Sequence, residues 1–312
     1  QGTGDPGRVL RYAEDAAFLD WCALTPDDGT VCPDQLARLV DGADEDGRFV
    51  TLPALEWAGV GGRGVVLARE WGTLLHPFLP AGGDPRTCTP RRLHGELADR
   101  RERAGTPDAD FLLVPHGAAA AEQADHASLS QVYARREDDC EGPLAGYVRA
   151  LMQGAILGVA AGGDSHSARP GSHGYGALTA VLAAEHTRDG VFDALRARHT
   201  YATTGHRLLM ELRADGAIMG DVVEDTLIPE LIWRVASPQP ITRVRLVRVR
   251  AGRAEDVVDE SYPEGSRRRE VTGTFRDEEF SAEAWDFASY FLVAHHEGEG
   301  RGWTSPIFFR RR

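Results

Sequence analysis

The chain has 312 residues, a formal net charge of −13, and hydrophobic and charged fractions of 42% and 27%, the balance of a globular protein with one large core or two ordinary ones. Every basic residue is arginine, which reads as coding bias rather than chemistry, and the acidic balance argues against a general nucleic-acid surface, which needs a basic face. No apolar run reaches the roughly 18 residues of a membrane span, and the first residues lack the charged and apolar regions of a signal peptide, so no membrane partner and a cytoplasmic location are expected.

Val9 to Asp20 carries apolar residues at helical spacing and runs into a short apolar strand, Trp21 to Leu24, before the turn Thr25-Pro26-Asp27-Asp28-Gly29. Pro33 opens a second helix through Val40, a normal place for proline. Phe49 to Trp57 reads as a strand ending in the acid Glu56, and Gly64 to Ala68 as another strand. A helix is expected near Pro90 to Ala104, then a strand Phe111 to Val114 ending in Pro115-His116. Ile156 to Ala161 reads as a strand that ends in Gly162-Gly163-Asp164-Ser165-His166. The pattern changes after residue 206, where Leu208–Ala214, Glu230–Val235, Ile241–Val249, Ser289–Ala294 and Pro306–Phe309 all read as strands. In the third of these, arginines at 243, 245 and 248 punctuate the apolar positions, predicting one buried and one wet face. Residues 207–312 are therefore expected to form a small antiparallel β domain, a sandwich.

Cysteines at 22, 32, 88 and 140 lack zinc-knuckle spacing and are too few for a disulfide scaffold. The chemistry gathers instead at strand ends, where the loops of α/β barrels build their sites. Asp164 and His166, one residue apart on a loop leaving a strand, can face one cavity as oxygen and nitrogen ligands for zinc, manganese or iron. The alternative is a turn aspartate capping backbone amides beside a hydrogen-bonded histidine. Glu56 is costly in an apolar strand unless bound to a cation or paired with Arg63 or Arg69. His116 offers the same two readings, ligand or structural. Arg169 and His173 are candidates for contact with an anionic substrate, although a satisfied turn accounts equally for His173. A phosphate-cradling Gly-x-x-x-x-Gly-Lys is impossible without lysine, and the glycines from 59 to 64 join two strands rather than opening a helix.

The run Gly162-Gly163-Asp164-Ser165-His166-Ser167-Ala168-Arg169-Pro170-Gly171 resembles the last metal-binding loop of PHP-like proteins, the polymerase and histidinol phosphatase superfamily. Within that superfamily the chain resembles a large family whose hallmarks also appear as Leu178 to Val181, Ala194 to Gly205 (with Tyr201-Ala202-Thr203-Thr204-Gly205), and Trp303-Thr304-Ser305-Pro306-Ile307. The resemblance implies an α/β fold, with a distorted β/α barrel over residues 1–206 followed by the β domain. It also implies one to three divalent metals and hydrolysis of phosphate or related esters. Carried over by position, Glu56, His116, Asp164 and His166 match metal ligands, Pro26-Asp27 stands where the family's early loop usually carries Asp-His, leaving Asp27 as a further ligand, and Asp164 and His166 become the catalytic pair. The chain departs from the pattern where the family carries a first strand with His-x-His, and at Gly117 and Gln131, where a histidine and an acid are usual. The expectation is a metal-dependent hydrolase of a small anionic ester. Its alternatives are a degenerate pseudoenzyme that binds a ligand or partner, and a carbohydrate-binding module confined to residues 207–312.

Overall fold

A computed structural model describes residues 5–25, 33–59, 62–71, 74, 92–95, 98–99, 102, 110–116, 127–134, 141–163, 169–172, 176–226, 228–263, 265–282 and 286–311. Helix α1 (Pro6–Arg11) begins at Asp5, whose side chain accepts from the Gly7 amide, and continues as a π turn over Tyr12–Ala16. Next come β1 (Trp21–Ala23), α2 (Pro33–Ala43), β2 (Val50–Leu52), β3 (Ala54–Gly59), β4 (Gly62–Ala68), β5 (Phe111–Pro115) and β6 (Leu129–Ala134). Helix α3 (Glu141–Met152), β7 (Gly158–Gly162), β8 (Leu178–Val181), α4 (Arg188–Arg196) and β9 (Thr200–Thr203) follow. The rest is almost entirely strand: β10 (Leu209–Ala214), β11 (Ala217–Ile218), β12 (Val222–Glu224), β13 (Glu230–Ala236), β14 (Ile241–Arg250), β15 (Arg253–Ser261) and β16 (Glu270–Arg276). A short α5 (Glu278–Ala282) precedes β17 (Phe287–His296), β18 (Gly300–Thr304) and β19 (Ile307–Arg310).

The expected PHP-type β/α barrel over residues 1–206 is not what forms: the described strands fall into several separate sheets and close no barrel. The reason lies in the connections. A β/α barrel needs parallel strands, each followed by a helix. Among the described residues two such units occur, β1–α2–β2 and β6–α3–β7, each with its strands paired in parallel. Between them, β3 pairs antiparallel with β4 as far as Gly59 and Gly62, and β3, β4 and β5 make an antiparallel meander. The single strand expected from Phe49 to Trp57 is also two strands. Pro53, which has no amide to donate, separates β2 from β3, so Glu56 lies in mid-strand opposite Val65 rather than at a strand end.

The largest sheet has eight strands and includes β8 and β9, which reach it through pairing of β9 with β18. The sheet therefore continues across residue 206. A four-stranded sheet, β11-β10-β13-β16, packs on one of its faces through Met210, Leu212, Trp233, Val235, Leu246 and Leu292. The other face is covered by α3 and β7, where Tyr147, Leu151 and Val159 meet Val247, Val249 and Phe291. The arginine punctuation of β14 thus has more than one outcome. Arg243 and Arg245 reach solvent-side carboxylates, whereas Arg248 is buried against Asp277. No helix among the described residues is long and apolar enough to cross a membrane.

Candidate functional site

A cavity of about 760 Å³ opens between the β3–β4–β5 meander, the β6–β7 pair, β1, β8 and α4. Glu56, Val65 and Val114 form one cross-strand row on its wall. Side chains on a strand alternate, so His116, two residues past Val114, returns to the same face and also lines the cavity. The backbone amide of His116 donates to the Arg63 carbonyl at 2.8 Å, which carries the β4–β5 pairing one residue further. Gly64 permits this close approach, because a Cβ there would stand 2.8 Å from the Val114 carbonyl oxygen.

Gln131 faces these residues from β6 and forms an isolated parallel bridge with His116. Its amide lies over Gly162, where a Cβ would come within 3.0 Å of Nε2. Glu56, His116 and Gln131 are therefore brought to one end of one cavity, joined there by Gly162 and Gly163. The Glu56 carboxylate is also held by Arg63, whose Nη2 donates to Oε1 at 2.9 Å. This is the pairing that the sequence offered as an alternative to a cation.

Asp27, Asp164, His166 and His173 lie outside the described residues. Arg169 is exposed, and the following Pro170 and Gly171 return to the cavity wall. Among the described residues no three His, Cys, Asp or Glu side chains form a group that could hold a metal ion. Cys22 lines the cavity, and burial pushes its thiol up to about 12, which favours the protonated form.

A second polar zone borders the cavity at Tyr201, His206 and Arg207. The Tyr201 hydroxyl donates to the Leu208 carbonyl at 2.8 Å, and burial, aided by Glu211, raises it to about 12. Arg207 donates to the carbonyls of Ala17 and Phe18, pinning the end of the π turn beside the cavity. The sequence named Tyr201 only within a family hallmark and did not mark His206 or Arg207. Their signal was Gly205, which has φ +98° and approaches Gly176 so closely that a Cβ would meet its carbonyl oxygen at 2.3 Å.

A sequence family described as "Protein of unknown function (DUF3604)" matches residues 126–230. An uncharacterized protein of Chlamydia trachomatis is 27% identical over 197 residues, covering 54% of this chain and 30% of its own length. A Chlamydia muridarum protein of the same description is 28% identical over 197 residues, with the same coverage. The chain thus spans about a third of the length of the curated relatives it matches. Among solved structures, the superoxide reductase (neelaredoxin) of Ignicoccus hospitalis matches over 32% of this chain and 79% of its own, at 14% identity and a TM-score of 0.22. An engineered protein matches over 90% of this chain and 69% of its own, at 10% identity and the same TM-score. Scores this low carry no likeness of fold.

Proposed function

We propose that this cavity hydrolyses a phosphate or related ester with the help of a divalent ion at the end marked by Glu56 and His116. The observation that carries the reading is convergence: two residues matched to ligand positions by resemblance, far apart in sequence, line one cavity with Gly163 and Pro170, which bracket residues 164–169 in sequence. A carboxylate and an imidazole suit zinc, manganese or iron. Two donors, one of them ion-paired to Arg63, fall short of a closed site, so the fit depends on Asp164 and His166, with Asp27, completing the set. A bound ion of this kind supplies a water of lowered pKa. The chain's own part is to aim donors from rigid strands, to offer the Gln131 amide as a hydrogen-bonding group, and to exclude bulk water with the apolar walls of β8 and α4. Arg169 and His173 are assigned to the anionic part of the substrate.

The test is elemental analysis of protein grown with added zinc and manganese, together with a phosphodiesterase assay. At least one ion per chain is expected, with activity falling by more than about 100-fold in Asp164→Ala and in His166→Ala. Less than about half an ion per chain, or unchanged activity in both variants, would overturn the proposal. The Arg63–Glu56 ion pair favours a second reading, a cavity that binds its ligand without metal or turnover. Tight binding by metal-free, inactive protein would select it.

A further inference from the structure

The polar end of the cavity sits over an apolar floor. Leu67 lies two residues along β4 from Val65, on the same face, and packs in one buried cluster with Leu129, Ala160, Val191 and Leu195. Along the side, β8 is half-buried at all four positions and also lines the cavity. Side-chain packing leaves few voids larger than a water molecule. A space of about 760 Å³ lies instead within the range of small-molecule sites, roughly 300–1,000 Å³, which are mostly apolar with a few placed polar groups.

We infer that the ligand is amphipathic: an anion of the phosphate-ester class whose organic part, an alkyl chain or aryl ring, lies on the Leu67–Leu195 floor. The phosphate end rests on the function proposed above, whereas the apolar part rests only on the walls. A small, fully polar ester would leave the partly exposed apolar lining above that floor, Trp21, Val65 and Val181, in water. Each methylene moved from water onto it strengthens binding roughly threefold to fourfold until the space is filled.

Calorimetric titration of the whole chain with ethyl, butyl, hexyl and octyl phosphate tests this, with the matching alcohols in parallel. Affinity is expected to climb by about that factor per methylene in the phosphate series. Val181→Trp, which adds bulk on the face of β8 packed against that cluster, should flatten the climb while circular dichroism stays native. Ala183→Trp, next to β8 and packed on the same cluster, serves as the second variant should the first not fold. No dependence on chain length, or an unaltered climb in a folded tryptophan variant, overturns the inference whether or not the protein is a hydrolase. Alcohols that bind as tightly as the phosphates, with the same climb, would uphold the apolar floor and overturn the phosphate end.

Discussion

Asp277 collects four hydrogen bonds on one buried carboxylate. Oδ1 accepts from the amides of Glu279 and Phe280, capping α5, and Oδ2 accepts from Arg248 Nη1 and the Tyr290 hydroxyl, both at 2.7 Å. With Arg248 4% and Asp277 1% exposed, neither charge has water to fall back on. Removing the carboxylate leaves Arg248 with Glu255 and Glu279 but strips the Tyr290 hydroxyl and the first amides of α5 of their acceptor, at a cost of roughly 3–5 kcal/mol. Asp277→Ala is therefore expected to lose stability of that order in urea unfolding, and a loss below about 1 kcal/mol would show the network contributes little. The cavity residues differ in legibility. Glu56 and His116 stood out because an acid and an imidazole beside apolar strands demand a partner, and Arg63 was foreseeable as that partner for Glu56. Gln131 appeared only as a departure from a family pattern. Its place opposite His116 depends on pairing between residues fifteen apart, which no local pattern encodes.

At the scale of elements, the readable strands are those with one wet face. In β13, burial alternates at every step from Glu230 to Val235, with Ile232 left on the wet face. Strand β15 was not legible, because Arg253–Ser261 carries no apolar stripe and is tied to β14 by Arg243–Asp259, Arg245–Asp256 and Arg248–Glu255 pairs. Helix α3 was missed for a related reason. It contains Gly142, Pro143 and Gly146, poor helix formers, and is held by packing of Tyr147, Ala150 and Leu151 on the sheet. One element-scale row has a pH consequence. His295 lies between Arg243 of β14 and Arg301 of β18, and burial, then Arg301, Arg245 and Arg243, depress it to about 4. An unfolded histidine titrates near 6.5, so between that value and about 4 the unfolded chain binds the proton and the folded one does not. This contribution is intact above pH 6.5 and is lost as pH falls through the window. His296 is depressed in the same direction by burial. Thermal unfolding should therefore show a smaller drop in Tm from pH 7 to 4.5 in His295→Gln than in the wild type, and equal drops would remove His295 from the account.

At the scale of the molecule, the repeated strand ends suggested a barrel because they record where polar residues follow apolar ones, not how strands are paired. Strand β4 runs antiparallel to β3, with Gly59 paired to Gly62, and that reversal breaks the parallel order a barrel needs. A composition change at residue 206 was just as visible, yet the eight-stranded sheet runs through it. Trp303 and Thr304 of β18 pair with Ala202 and Tyr201 of β9, and Phe291, Val293 and Phe308 share a core with Tyr147, Leu157 and Val159. A fragment of residues 207–312 would lose that strand and that layer together, baring one face of its main sheet and the edge of β18. Exposed strand edges beside large apolar surfaces invite association. The fragment alone is expected to aggregate, or to stay soluble as a loosely packed species that binds an apolar dye and gives poorly dispersed amide resonances. The whole chain should unfold with β9 and β18 losing hydrogen-exchange protection together. A soluble, monomeric fragment with a well-dispersed spectrum would show that residues 207–312 fold independently of the continuous sheet.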